Sequence, residues 1–432
     1  MKNKQAIYLL FAANSISGFA QGISMIAIPW YFANMLGMAS LFGYIYLGAT
    51  FVSLFWGLYA GSLIDKFNRK NIFLINSIVG FIVLSTVSII GHSSIDGLHY
   101  LYAAMVFVIT FFIFNIHYPN LYAFAQEISA PKDYGKVTSY IEVQGQITTA
   151  MAGAGAAILL TGTSQGTMRF FGFEIPVNFE ITAWSLQQIF TVNASAYLLA
   201  IFIISFIRYE SVSKRIPDLS PVLKRIVSGV TYLKDNVYVL IFGLASYTIF
   251  ITILLNIFYL MPIYIRNHLH ADADVYASFE IFTALGSVIA GLAITKIFRR
   301  TTTVRAIIMM CGMTVLIYTI WIFNVNITLF FILTALLGLS NAGTRVMRMT
   351  YLFNNVPNDL IGRVGSVFNV FSVFMRMIFL FFLSSVFFQE SNNIVYAIAL
   401  FAAFVFIGMS TLIFFRKNLE LITIKNKNKI EV

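Results

Sequence analysis

The sequence predicts an all-α membrane protein with twelve transmembrane helices in two pseudo-symmetric six-helix bundles. Three observations support this prediction: the apolar composition, the number of long apolar runs, and a repeat that relates the two halves of the chain. Of the 432 residues, 59% are hydrophobic and only 10% are charged. A soluble domain covers its surface with more polar residues than this, so lipid is the expected solvent of the apolar runs.

The apolar runs are long enough to cross a bilayer as helices. A hydrocarbon core of about 30 Å requires ~20 helical residues, and every backbone polar group inside it must be paired internally. The runs lack the polar–apolar alternation of barrel strands, so helices are predicted. The twelve predicted spans are 6–35, 40–64, 71–91, 100–129, 137–160, 188–208, 237–265, 274–297, 304–324, 327–351, 364–388 and 393–415.

The distribution of Lys and Arg predicts the orientation of these spans. If both termini are cytoplasmic, 23 of the 28 Lys and Arg residues lie in cytoplasmic segments and 2 lie in external ones. Cytoplasmic loops carry such an excess in membrane proteins. We therefore expect a multi-pass protein of the cell inner membrane with both termini in the cytoplasm. The net charge of +11 then faces anionic lipid, and no nucleic-acid partner is expected.

Three short motifs occur twice, in the same order, in the two halves of the chain. Each pair shares its Pro, Gly or basic residues at matching places, and one pair needs a single inserted residue. The pairs are PWYFANML (29–36) with PIYIRNHL (262–269), GSLIDKFNRK (61–70) with GLAITKIFRR (291–300), and PKDYGKVTS (131–139) with PNDLIGRVGS (357–366). An internal repeat of six spans predicts two parallel bundles related by an axis along the membrane normal, as in transporters that rock two bundles around a shared site.

The repeat also predicts the division of the chain. The predicted parts are an N-terminal bundle (1–208), a cytoplasmic linker (209–236), a C-terminal bundle (237–416) and a cytoplasmic tail (417–432). In the linker, Ile226, Val227, Val230 and Leu233 share one helical face. This spacing predicts an amphipathic helix that lies on the bundle or on the membrane surface.

The stretch GSLIDKFNRK between spans two and three resembles the signature loop of the major facilitator superfamily. Two further stretches, VPNDLIGRVGSV (356–367) and RIVSGVTYLKDNVYV (225–239), resemble the macrolide-efflux and enterobactin-exporter branch of that superfamily. The resemblance implies the major facilitator fold and a secondary active transporter that works by alternating access. Proton-coupled efflux of a small amphipathic compound is the leading expectation.

Two other functions remain open. The first is transport, in either direction, of an anionic metabolite or siderophore, and the second is a non-transporting membrane sensor or lipid-handling scaffold. The sequence contains no Walker loop and no catalytic constellation, so we predict neither an enzyme nor a bound cofactor. The single cysteine, Cys311, predicts neither a disulfide framework nor a Cys metal cluster. The expected partners are a small-molecule substrate, a coupling ion predicted to be a proton, and the lipid bilayer around a monomer.

The signature loop is predicted to form a latch on the cytoplasmic gate. By the resemblance, Asp65 rests against the N-terminus of span eleven in the other half, where a helix carries partial positive charge. A plain positive-inside loop would explain the basic residues but not Asp65. Thr295 replaces the Asp in the second copy, so the latch is expected on one side only. The predicted latch residues are Gly61, Asp65, Lys66, Arg69, Lys70 and Glu127.

Glu142, Glu280 and Arg376 are the predicted proton-coupling residues, because ionisable groups inside a span are costly and mark function. At 1.5 Å per residue, Glu280 lies roughly 9 Å and Arg376 roughly 12 Å from the outer boundary. The two could form a structural ion pair or a proton-sensitive switch. Glu142 could contact a proton or substrate, or make a structural hydrogen bond.

Polar side chains in the spans are the candidates for substrate binding. Arg345 and Arg348 could bind an anionic group or extend to the inner surface, and His117 could titrate or be a hydrogen-bonded core residue. The exporter branch usually lacks charge in this part of span ten and often has an acid near Gln21, so this chain departs from its relatives there. The candidates are Gln21, Asn115, His117, Asn256, Asn341, Arg345 and Arg348.

Overall fold

The computed structural model describes residues 4–93, 99–129, 134–164, 167–177, 180–208, 222–357, 360–390 and 392–421. Twelve helical segments in these residues have the length and hydropathy to cross a membrane. They coincide with the twelve predicted spans to within a few residues at most ends, and the predicted fold class is confirmed. Span eleven differs most, because its helix ends at Leu383 and a short 3-10 helix, Val386–Gln389, follows.

Fifteen α-helices are present in the described residues. They are α1 (Lys4–Trp30), α2 (Ala39–Lys66), α3 (Arg69–Ser93), α4 (Tyr100–Ile128), α5 (Tyr134–Thr161), α6 (Leu186–Ser205), α7 (Val222–Asp235), α8 (Val237–Ser246), α9 (Thr248–Leu255), α10 (Met261–Asn267), α11 (Ala273–Ile297), α12 (Thr303–Phe323), α13 (Ile327–Asn355), α14 (Ile361–Leu383) and α15 (Ile394–Phe414). Large apolar side chains such as Phe323 and Phe414 are exposed on them, which suits a surface that faces lipid.

The chain forms two compact units. One consists of Met1–Leu219 and Ala271–Ile281, and the other of Ser220–His270 and Phe282–Val432. In the first unit, α1 packs against α4, α5 and α6, and α3 packs against α4 and α6. In the second unit, α12 packs against α13 and α15, and α14 packs against α7 and α9. The first residues of α11 thus belong with the N-terminal helices.

Span seven is interrupted twice. It consists of α8, α9 and α10, with a break at Tyr247 and a π-helical turn at Asn256–Leu260. Pro262 follows the π turn, and proline cannot donate the backbone hydrogen bond of a continuous helix. The repeat unit in span one also has a π turn, Tyr31–Met35, but this turn follows Pro29. The π turn therefore precedes the proline in span seven and follows it in span one.

A three-stranded antiparallel sheet occupies the long segment between α5 and α6. Its strands are β1 (Thr163–Ser164), β2 (Thr167–Phe170) and β3 (Phe173–Pro176). Strands β2 and β3 are joined by Phe171 and Gly172, which have φ of 57° and 76°. Positive φ at both central residues is the two-residue turn that matches the twist of a hairpin. This sheet was not predicted from the sequence.

The predicted linker helix is α7, and it packs on the second unit. Leu233 is buried with Val239 and Val364, and the Tyr232 hydroxyl donates a hydrogen bond to the Asn355 carbonyl oxygen at 3.0 Å. An added Cβ at Gly229 would lie 2.6 Å from the Arg363 carbonyl oxygen. Glycine therefore permits this close approach, and the helix lies on the bundle rather than only on the membrane surface.

Candidate functional site

The structure brings Arg69 and Glu127 of the predicted latch together. The Arg69 Nη1 atom lies 3.0 Å from Glu127 Oε2, and each side chain is 11% exposed. Arg69 also donates to the Ala123 carbonyl oxygen, and its own carbonyl accepts from Asn120 Nδ2 at 3.0 Å. The start of α3 is thereby fixed to the end of α4.

Lys70 has a different set of partners. Its Nζ atom donates to the carbonyl oxygens of Ser205 at 3.0 Å and Ile207 at 2.8 Å. These carbonyls lie at the C-terminus of α6, where a helix carries partial negative charge and unpaired acceptors. The backbone of Gly61, Asp65 and Lys66 lies in the last turns of α2, and the side chains of Asp65 and Lys66 lie outside the described part of the structure. The latch as a whole therefore stays a prediction.

His117 forms a half-buried hydrogen-bonded pair, and its partner was not predicted from the sequence. Its Nε2 atom lies 2.7 Å from Asn14 Oδ1 of α1, and the Phe73 ring meets the imidazole edge-on. Asn115, two residues earlier, donates to the Phe111 carbonyl oxygen of its own helix at 2.8 Å. Gln21 is buried in α1, and its Nε2 atom has no hydrogen-bond partner among the described residues.

The two acidic candidates of the first unit differ in their surroundings. Glu142 accepts a hydrogen bond of 2.5 Å from the Tyr122 hydroxyl. Glu280 is 8% exposed, and it makes no hydrogen bond or ion pair with the residues that the structure describes. Its helix lies against α5, because an added Cβ at Gly153 would lie 2.7 Å from the Ala277 carbonyl oxygen and 3.5 Å from Glu280 Cβ.

Arg348 occupies the break in span seven. Its guanidinium lies over the Tyr247 ring, 3.7 Å from the centroid, and Nη1 donates to the Ser246 carbonyl oxygen at 3.1 Å. A cation at the C-terminus of α8 and over an aromatic face is favourable. Arg345, three residues earlier on the same helix, is exposed, and Asn341 is half-buried.

Asn256 and Arg376 are the remaining candidates of the second unit. Asn256 Nδ2 donates to the Tyr318 hydroxyl at 2.9 Å, which in turn donates to Thr252 Oγ1 at 2.9 Å. Arg376 is 7% exposed, and its Nε atom has no partner among the described residues. Glu280 belongs to the first unit and Arg376 to the second, so the predicted pairing of these two residues stays a prediction.

Other polar contacts were not predicted from the sequence. His268 bridges Asn392 Oδ1 at 2.7 Å and the Asn324 carbonyl oxygen at 3.0 Å. In the first unit, Arg169 of β2 forms an ion pair with Asp272, which raises the pKa of the Arg169 guanidinium above its ordinary value. The Gly172 backbone N–H donates to Asp274 at 2.7 Å. These contacts join the hairpin to the start of α11, and nothing in the sequence spacing indicated them.

Metal binding finds no support in the described ranges. Within them, no group of three or more His, Cys, Asp or Glu side chains is placed to hold a metal ion. Cys311 is buried in α12. The polar side chains reported above are thus single residues, pairs or short hydrogen-bonded chains distributed over the two units.

Comparison with known proteins identifies the fold and the family. The sequence model of the Major Facilitator Superfamily matches residues 10–380, whereas a search of curated proteins found no match.

Similar solved structures include the nucleoside transporter NupG (TM-score 0.69, 11% identity, 94% of this chain and 98% of that one). A bacterial homologue of the iron transporter ferroportin in an inward-facing state is also similar (TM-score 0.68, 12% identity, 94% and 98%). The D-xylose-proton symporter is a third (TM-score 0.64, 13% identity, 94% and 97%). At such identities the structural likeness shows the fold, and the family match over most of the chain shows the rest: the chain belongs to the Major Facilitator Superfamily and is a membrane transporter of that type.

Proposed function

We propose that the chain is a secondary active transporter that works by alternating access and is coupled to protons through Glu280. The observation that carries this proposal is the position of Glu280. It is a buried carboxyl group in an apolar span, and no described residue donates a hydrogen bond to it or forms an ion pair with it. Ionisable groups inside a membrane are costly and are retained at ion pathways and proton relays.

The surroundings of Glu280 support a movable rather than a fixed proton. Glu142, by contrast, accepts a hydrogen bond from the Tyr122 hydroxyl. Gly153 of α5 lies beside Glu280, and Tyr276, one turn earlier on α11, stacks on Trp30. A carboxyl group with no permanent donor can change its protonation without breaking a hydrogen bond. Glu142 is the second candidate for the relay.

Efflux of a small amphipathic compound is the proposed direction and cargo. It rests on the resemblance of the linker and of residues 356–367 to the macrolide-efflux and enterobactin-exporter branch. Placement in the inner membrane with both termini in the cytoplasm is proposed from the distribution of Lys and Arg. The same proposal treats the protein as a monomer and the signature loop as a latch on the cytoplasmic gate.

Proton flux in proteoliposomes tests the proposal. The full-length protein is reconstituted with a pH-sensitive dye inside the vesicles, a pH gradient is imposed, and amphipathic compounds are added one at a time. We expect compound-dependent proton movement with wild-type protein and its loss in Glu280→Gln, because the amide cannot carry a proton. Solute accumulation driven by the gradient should be lost together with it.

Glu390→Gln is the matched control, because Glu390 is exposed and lies outside the spans. It removes the same charge and should leave proton movement unchanged. Proton-coupled flux that persists in Glu280→Gln would contradict the coupling role. If neither proton nor sodium gradients drive any solute across the vesicle membrane, the transport proposal fails, and a sensor or a lipid-handling scaffold becomes the better explanation.

A further inference from the structure

Helix α13 carries a row of buried side chains with unpartnered polar atoms. Ser340, Thr344 and Arg348 are four residues apart and therefore lie on one face of the helix. The Ser340 and Thr344 hydroxyls and the Arg348 Nε atom have no hydrogen-bond partner among the described residues. Hydroxyls in helices commonly bond to the carbonyl one turn earlier, and these two do not.

Helix α14 repeats the pattern. Ser372 and Arg376 are one turn apart, both are buried, and both have unpartnered polar atoms in the described structure. Helices α13 and α14 are joined by the short connection 356–360, so depth can be measured from it along each helix. At 1.5 Å per residue, Thr344 and Ser372 both lie roughly 16 Å from the helix end that adjoins this connection. Ser340 and Arg376 both lie roughly 22 Å from it.

Both helices pack against span seven, so the two rows approach the same helix. Arg348 lies over Tyr247 of the break, and Phe368, one turn before Ser372, is close to Gly243 and Tyr247. An added Cβ at Gly243 would lie 1.9 Å from the Phe368 ring. The faces of α13 and α14 that carry the unpartnered groups are therefore the faces turned to span seven.

Nothing in these helices neutralises the two arginines. Residues 236–270 and 282–389 contain a single acidic residue, Asp359, which lies outside the described residues. Arg348 is 4% exposed and Arg376 is 7% exposed. The Ser246 carbonyl and the Tyr247 ring offset part of the charge of Arg348, whereas no described residue forms a hydrogen bond or ion pair with Arg376. A buried cation without a counter-charge is destabilising, so a counter-anion is expected to complete the site.

We propose that the donors of α13 and α14 form a binding site for the anionic group of the transported solute, a carboxylate, phosphonate or sulfonate. This inference rests on the proposed transport function and names its substrate class. The binding groups are the Arg376 guanidinium and the hydroxyls of Ser340, Thr344 and Ser372, which lie at matching depths. Arg348 lies nearer the connection, roughly 10 Å along α13, and adds positive charge to the same face. Guanidinium groups suit this role because their planar N–H donors match the two oxygens of an oxyanion. The Arg348 guanidinium lies over the Tyr247 ring, and its Nε atom has no hydrogen-bond partner among the described residues.

Three nearly isosteric probes test the charge preference. Benzoate, benzamide and benzamidine share one ring and differ in charge by one unit each. Their effect on the thermal unfolding of the purified full-length protein is measured at constant ionic strength. We expect benzoate to raise the unfolding temperature more than the other two. In Arg376→Met the benzoate affinity should fall about tenfold or more, as expected for loss of a hydrogen bond to a buried charge.

The same variant distinguishes a ligand-binding arginine from a structural one. If Arg376 has no counter-charge until an anion binds, Arg376→Met removes an unpaired charge. The variant should then have a higher unfolding temperature than the wild-type protein without ligand. Arg299→Met removes an exposed Arg and is the control that should change neither quantity. A lower unfolding temperature of Arg376→Met without ligand, or a benzoate effect no larger than that of benzamide and benzamidine, would overturn the proposal.

Failure of this proposal can be told apart from failure of the transport proposal. Proteoliposomes that move only neutral or cationic compounds against a proton gradient would leave transport standing and remove the anion site. Selective binding of benzoate by a protein that moves no solute would leave the anion site standing and remove the transport proposal.

Discussion

Arg69 and Lys70 are neighbours in the sequence, yet their side chains do different things. Arg69 forms an ion pair with Glu127 of α4, and Lys70 donates to the last carbonyls of α6. The excess of positive charge in cytoplasmic loops predicts where such residues lie. It does not predict that one would close a largely buried ion pair and the other would cap a helix. Both contacts fasten α3 to its neighbours in the first unit.

The Arg69–Glu127 pair should contribute measurably to stability. Glu127→Ala leaves the Arg69 guanidinium without its carboxylate in a site where it is mostly shielded from water. We expect a loss of about 3 kcal/mol in the free energy of unfolding, the low end of the range for buried pairs, seen as a lower unfolding temperature in detergent. Glu174→Ala removes one partner of an exposed pair with Arg169 and should change stability by less than about 1 kcal/mol. Equal effects of the two variants would show that the Arg69 pair behaves like a surface pair.

At the scale of the helices, glycines decide how closely two helices approach. Gly153 of α5 faces Ala277 and Ile281 of α11, and an added Cβ would lie 2.7 Å and 2.9 Å from their nearest atoms. Gly145, on the same helix, has no such neighbour within 4 Å. Because Glu280 lies between Ala277 and Ile281 in the sequence, the approach at Gly153 also sets the position of the proposed coupling carboxyl.

Gly153→Ala and Gly145→Ala form a matched pair of variants. The first forces α11 away from α5, and overpacking of this kind costs about 1–3 kcal/mol. The second improves helix propensity by up to about 1 kcal/mol without a clash. We expect Gly153→Ala to lower the unfolding temperature and to reduce proton-coupled flux in vesicles, and Gly145→Ala to do neither. Unaltered stability in Gly153→Ala would show that the two helices can separate at little cost.

On the scale of the whole molecule, the repeat gives two halves that are similar in order but not in detail. Asn68 caps α3 in the first copy of the loop, and Thr302 caps α12 in the second. Lys70 holds the end of α6, whereas Arg300, its counterpart, is exposed. The hairpin of β2 and β3 occurs in the first half, in a segment that the repeat does not cover.

The orientation of the whole chain can be tested with single cysteines. Cys311 is fully buried, so Cys311→Ser gives a background without a reactive thiol. Glu390→Cys and Lys417→Cys place an exposed thiol in the predicted external and cytoplasmic segments. We expect a membrane-impermeant maleimide to label Glu390→Cys in intact cells and Lys417→Cys only after permeabilisation. The reverse labelling pattern would mean that the charge distribution has been assigned to the wrong sides.

The spans, their number and the repeat could all be predicted from the order of residues alone. Bilayer thickness sets a minimum length of apolar helix, and that length can be measured along the chain without knowing any neighbour. The predicted ends of span eight, 274–297, agree with those of α11 to within one residue, and α7 lies inside the predicted linker. The ionisable candidates Glu280, Arg348 and Arg376 could also be identified from the sequence. A charged residue inside an apolar run can be recognised without knowing which residues pack against it.

Which polar groups meet became visible once the helices were packed together. The pairs Asn14 with His117, Tyr122 with Glu142 and Asn256 with Tyr318 each join different spans. Such contacts depend on how each helix is rotated and how closely its neighbour approaches, and hydropathy along one chain contains neither quantity. The row of Ser340, Thr344 and Arg348, whose hydroxyls and Nε atom have no partner among the described residues, is an intermediate case. Its spacing of four residues is present in the sequence, but the lack of partners that gives it meaning appears only when the neighbouring helices are in place.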